Sequence, residues 1–141
     1  MTEQKGITIL ELLVALAIIG VVAGMAVPAY NGFLASGYRS EAQRELVKIY
    51  NLQEQYFSDH KTYTTDMTAL GLSADPFVSD SGNYSIDTAS VTDITLDYKI
   101  TATAKGFQLS NDGKCKTMTM DNLGNVAATD GSNDTTETCW P

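Results

Sequence analysis

The sequence predicts an α+β protein. One long N-terminal α-helix, apolar in its first half and amphipathic in its second, packs on an antiparallel β-sheet head with a disulfide-bounded C-terminal region. Three observations predict it. Residues 12–30 carry no charged side chain, a 19-residue run able to cross a hydrocarbon core of about 30 Å at about 1.5 Å per residue. Beyond Tyr30, apolar residues recur at helical spacing. Past position 60 the composition changes, because 15 of the 17 threonines and 10 of the 11 aspartates lie there, and threonine alternating with apolar residues favours strands.

The first element opens on a polar leader, Met1-Thr2-Glu3-Gln4-Lys5-Gly6. The apolar run behind it is longer than the h-region of a secretory signal, which spans about 7 to 15 residues. One carboxylate, Glu11, sits beside that run. An unpaired acidic side chain in a membrane helix costs roughly 2.5 to 3.5 kcal/mol, so a partner is expected. Farther on, Ala42, Leu46, Ile49, Gln53 and Tyr56 recur at spacings of 4, 3, 4 and 3, widened by Tyr50 and Phe57. Arg39, Glu41, Arg44, Glu45, Lys48 and Glu54 take the other positions. Such a stripe is one face docked on something else. Residues 7–59 therefore read as one helix. Pro28 lacks an amide hydrogen and predicts a kink or a local loss of helix over 24–28, with Gly32 and Gly37 softening the next turns.

Residues 60–63 end the helix, and 67–72 read as a short helical turn closing near Gly71. The clearest strand is 94–102, with even positions facing a core; 83–87 precede it, with 91–93 in the turn between them. Residues 107–109 extend or follow this hairpin. Another strand is expected over 116–120, with Met118 and Met120 inward, and 121–125 turn into 126–128. The tail from Asp130 is polar enough to fray unless tied down. Two late cysteines, Cys115 and Cys139, behind an export-like N-terminus read as one disulfide, the other reading being two free thiols. That bridge would close 25 residues, worth roughly 3 to 4 kcal/mol in the chain-entropy picture.

The same residues exclude several functions. A length of 141 residues allows one domain. One histidine and two cysteines cannot assemble a Cys/His metal cluster, and no nucleophile–base pair is visible, so no catalytic residue, metal or cofactor is expected. His60 reads as a solvated helix-end residue, and the oxygen-rich loop 130–137 lacks the EF-hand ligand spacing. With 17 acidic against 9 basic side chains and a net charge of −8, the chain is poorly suited to neutralising phosphates. Lys99, Lys105, Lys114 and Lys116, near Tyr98 and Phe107, are the one candidate basic strip.

The run from Lys5-Gly6-Ile7-Thr8-Ile9-Leu10-Glu11 to Gly20, continuing to Val27-Pro28-Ala29-Tyr30, resembles the N-terminal segment of type IV pilins. Leader charge, glycine, carboxylate, small residues and proline all fall at matching offsets, although the family more often carries phenylalanine where Ile7 stands. The resemblance implies a leader of residues 1–6 removed by a prepilin peptidase at Gly6–Ile7, and N-methylation of the new amine on Ile7. It divides the rest into a transmembrane and filament-core helix, 7–30, and a globular head, 31–141. Glu11 becomes the assembly and register residue, facing the amine of a neighbouring subunit; the plainer alternative is that its carboxylate snorkels to the membrane interface. The segment from Cys115 to Cys139-Trp140 is similar to that of minor pilins.

The function implied is that of a structural subunit of a type IV pilus, a fibre used in cell adhesion and twitching motility. The subunit would be stored in the inner membrane as a single-pass protein and polymerised into an extracellular fibre, with the minor-pilin role leading. The alternatives are a major pilin, a type II secretion pseudopilin, and a DNA-uptake (competence) pilin, the last opposed by the acidic head. The implied partners are other pilin subunits, prepilin peptidase, the inner-membrane pilus assembly platform and, before assembly, membrane lipid.

Overall fold

A computed structural model describes residues 6–140. Most of the expected leader, Met1, Thr2, Glu3, Gln4 and Lys5, lies outside the described residues, as does Pro141. The chain divides into two compact units, one ending at Phe33 and one beginning at Leu34. Helix α1, Ile9–His60, supplies segments to both.

In the first unit the helix carries its apolar side chains on the outside: Leu10, Leu13, Leu16, Ile18, Val22, Met25 and Phe33 are all exposed. It runs through Pro28 without interruption. The local loss of helix expected at 24–28 therefore does not occur, since one missing amide donor removes a single bond from a long ladder.

The second unit has its own core. Ala35, Ala42, Leu46, Ile49 and Gln53 are buried along α1, which is the predicted stripe, with Tyr56 half-buried at its end. Five strands form one antiparallel meander in the order of the chain: β1 Phe77–Val78, β2 Tyr84–Ala89, β3 Lys99–Ala104, β4 Thr117–Asp121 and β5 Val126–Thr129. Alternation buries one face: Tyr84, Ile86, Ile100, Ala102, Met118, Met120 and Ala128 join the core with the α1 stripe. Two short helices accompany the sheet: α2, Gly106–Asn111, joins β3 to β4, and α3, Thr136–Cys139, follows β5. Gly124, with φ +78°, makes the tight turn between β4 and β5.

One expected strand is shortened, one open alternative is decided and one strand is new. The strand read over 94–102 begins only at Lys99. Asp97 Oδ1 accepts the amides of Val91 (3.1 Å) and Thr92 (2.9 Å), and Asp93 Oδ1 accepts the amide and hydroxyl of Thr95 at 2.9 and 2.8 Å. Side-chain acceptors close to these amides offer the backbone an alternative to a sheet ladder, and Leu96 is left exposed. Residues 107–109 follow the hairpin as helix α2 and do not extend it. The two-residue β1 was not foreseen, because Phe77-Val78 is too short a run to carry a period. By contrast, 67–71 form the expected turn, with Asp66 Oδ1 accepting the amide and hydroxyl of Thr68 at 2.8 and 2.6 Å and Gly71 at φ +83°.

Candidate functional site

The N-terminal surface is built by one short run. Thr8 stands just before the first helical residue, and its Oγ1 accepts the Glu11 amide at 3.2 Å; its carbonyl accepts the Leu12 amide at 3.2 Å. A threonine before a helix with glutamate three residues later is the capping-box pattern, which satisfies amides a helix start leaves open. Glu11 is thus the acidic residue of the first turn, where the helix dipole favours a negative charge. Ile7 and Glu11 both face solvent, and so do Ile9, Leu10, Leu12 and Leu13. Among the described residues, α1 is the one helix long and apolar enough to cross a bilayer, and none of its apolar window is buried. A surface this apolar and this large needs lipid or protein against it.

A second constellation ties α1 to the end of the chain. Arg39 donates from Nε and Nη2 to the two carboxylate oxygens of Asp112, each at 2.9 Å, the bidentate arrangement that gives the strongest side-chain pairs. Its Nη1 donates to the Thr138 carbonyl at 3.3 Å. One turn along, Gln43 Nε2 donates to the Cys139 carbonyl at 2.7 Å. Buried Gln108 donates from Nε2 to Asp112 at 2.8 Å and to the Ala35 carbonyl at 3.1 Å. Beside it, Tyr84 is buried enough to push its hydroxyl pKa up to about 12. Cys115 and Cys139 form the disulfide, so the paired reading of the cysteines stands and the free-thiol reading does not. Arg39, read from the sequence as an outer-face residue, is an anchor instead. Its partner lies 73 positions away, a distance at which sequence carries no signal, whereas the Thr8-x-x-Glu11 pattern was legible and passed over.

The candidate basic strip divides. Lys99 opens β3 opposite Asp121, and Tyr98 is fully buried. Lys105 and Lys116 lie at the other end of β3, where the Ala104 amide donates to the Lys116 carbonyl at 2.8 Å, and Lys114 stands two residues before Lys116. There, Phe107 meets Tyr38 edge-on with ring centroids 5.9 Å apart. His60 stacks on Tyr56 at 4.0 Å, with Nδ1 3.0 Å from the Tyr56 carbonyl oxygen. Among the described residues no three His, Cys, Asp or Glu side chains group as a metal site.

Comparison with known proteins matches both parts of the chain. The family model described as "Type IV minor pilin ComP, DNA uptake sequence receptor" matches residues 28–119, and that of the prokaryotic N-terminal methylation motif matches residues 1–27. The fimbrial protein EcpC of Eikenella corrodens is 31% identical over 122 residues, 86% of this chain and 76% of that protein. The type IV major pilin protein PilA of Myxococcus xanthus is 32% identical over 81 residues, 57% of this chain and 34% of that protein. For the type IV major pilin protein PilE1 of Neisseria gonorrhoeae the identity is 32% over 75 residues, 53% of this chain and 46% of that one. The chain thus spans about three quarters of EcpC and less than half of the two major pilins. A solved type IV pilin from Shewanella oneidensis has the same fold, with a TM-score of 0.51 at 21% identity over 76% of this chain and 98% of that one.

Proposed function

Because the chain belongs to the type IV pilins, in the minor-pilin family, we propose that it is a minor subunit of a type IV pilus, anchored in the inner membrane by its N-terminal helix and then polymerised into the fibre. One observation carries this reading: the first half of α1 presents a wholly exposed apolar surface, broken by the single carboxylate of Glu11, while the unit that follows closes a core of its own. The head buries its own core, which leaves the helix surface for lipid and then for other helices.

The chemistry follows from the residues. Prepilin peptidase cuts between Gly6 and Ile7, where glycine leaves room for the enzyme's backbone approach, and methylates the Ile7 amine. The assembly platform passes the helix from lipid to neighbouring subunits. In that dry stack the Glu11 carboxylate of one chain faces the Ile7 amine of another. The two charges offset much of each other's desolvation and so fix axial register. The subunit's share of sheared, purified pili against the membrane fraction, measured by quantitative mass spectrometry, tests the assignment. A minor subunit is a small part of the fibre; a chain that dominates it is a major pilin.

Similarity to a minor-pilin family of DNA uptake sequence receptors favours a second reading, DNA uptake. Acidic balance in the head opposes it, with 11 acidic against 5 basic residues over 61–141. Lys105, Lys114 and Lys116 are the part of that surface suited to phosphate. Three phosphate contacts give a slope of log K on log salt of about −2.7. Filter binding across a salt series decides it: no retention of duplex DNA at low salt removes this reading and leaves the pilin assignment intact.

A further inference from the structure

Both halves of the disulfide are gripped by one face of α1. The Cys115 amide donates to the Asp112 carbonyl at 3.1 Å, and Asp112 is in turn held by the two-pronged contact of Arg39. On the other side, Arg39 reaches the Thr138 carbonyl and Gln43 the Cys139 carbonyl. Asp112 is nearly buried and Arg39 about three-quarters so, with side-chain exposures of 5% and 23%. This gives the Arg39–Asp112 contact the sheltered setting in which charge-assisted bonds hold a geometry. A third tie, from the Thr135 hydroxyl to the Lys114 carbonyl at 2.7 Å, joins the same two segments without the helix.

We propose that Arg39 and Gln43 are positioning residues for formation of the Cys115–Cys139 disulfide, so that the bond closes efficiently only after α1 has docked in the head. Two segments far apart in sequence meet as dithiol with their backbones already fixed, which raises the effective concentration of one thiol at the other. Oxidation removes two electrons and two protons from the pair. The electrons reduce a disulfide oxidant, in the assay glutathione disulfide, which leaves as two molecules of glutathione. The bridge thereby records in covalent form that the helix and head have come together.

The test is the equilibrium of the full-length, detergent-solubilised protein with glutathione redox buffers, read as the ratio of dithiol to disulfide by mass after acid quenching. Arg39→Met is expected to lower the effective thiol concentration about tenfold, in line with a charge-assisted contact. Arg39→Lys, which cannot span both acceptors, should fall between it and the parent, and Gln43→Leu should lower the value about threefold. Thermal midpoints of the same substitutions in a Cys115→Ala/Cys139→Ala background are measured in parallel. A role in stability alone would lower the midpoints and leave the glutathione equilibrium of the folded dithiol unchanged, and that result overturns the proposal. If Arg39→Met does not fold, Arg39→Lys and Gln43→Leu decide by the same criterion.

Discussion

Glu11→Val separates insertion from assembly because the two effects have opposite signs. A carboxylate at the centre of a membrane helix costs roughly 2.5 to 3.5 kcal/mol. Here it occupies the first turn of α1, where the dipole returns about 0.3 to 1 kcal/mol. Replacing it with valine should therefore favour membrane insertion by at most about 2 to 3 kcal/mol, a shift of no more than about 30- to 150-fold at about 1.4 kcal/mol per decade. In the fibre the balance reverses, since removing one member of a buried pair leaves the other uncompensated at about 3 to 5 kcal/mol. The variant should accumulate as processed, membrane-resident subunit while its incorporation drops by about two to three and a half orders of magnitude. The assay is targeted mass spectrometry of membranes and sheared pili, with the N-terminal mass confirming cleavage after Gly6. Wild-type incorporation of a correctly processed variant would refute the proposed pairing, even though the family assignment would stand.

Gly6→Val should leave the leader uncut, and a normal mature N-terminal mass in that variant would contradict cleavage at Gly6–Ile7. Leu46 is fully buried at the centre of the α1 stripe, so Leu46→Ala should cost about 3 to 5 kcal/mol by urea denaturation; a loss below about 1 kcal/mol would mean that the stripe does not carry the core. Cys115→Ser with Cys139→Ser opens a loop with a sequence separation of 24 and should cost about 3.5 kcal/mol, with faster amide exchange over the last residues as a second readout. Acid should weaken the head. The pKa of Asp97 is lowered chiefly by the Thr92 hydroxyl, that of Asp93 by the Thr95 amide, and that of Asp130 by Asn133, to about 2. Depressed carboxylates contribute stability above their unfolded value near pH 4 that is lost as pH falls through the folded value. The thermal midpoint should therefore decline between about pH 4 and pH 2, and a flat midpoint there would contradict these contacts.

What could be read from the sequence was what repeats or stands within a few residues. The α1 stripe was legible because Ala42, Leu46, Ile49 and Gln53 repeat a helical period, and β4 because Met118 and Met120 alternate with threonines. Residues 91–93 were rightly read as a turn, but 94–98 were misread as strand because Ile94, Leu96 and Tyr98 also alternate. The pattern could not show that Asp93 and Asp97 would capture the neighbouring amides. The two cysteines were paired correctly by elimination and export context, but the anchor around them was invisible, since Arg39, Asp112 and Thr138 come together only once α1 has docked.

The ends of the sheet bear on how such a subunit avoids unwanted association. A strand with open amides and carbonyls is a template for another chain. On the β5 side the chain's own end lies over that row: the Thr135 amide donates to the Ala128 carbonyl at 2.9 Å, the Ala128 amide to the Thr136 hydroxyl at 2.9 Å, and Trp140 Nε1 to the Ala127 carbonyl at 3.2 Å. On the β1 side the strand is two residues long and is preceded by Pro76, which has no amide to offer. Both flanks are therefore blunted against strand-to-strand growth. In the proposed pilus subunit, this would leave the exposed helix as the route to multiplication and deny the head an amyloid-like one.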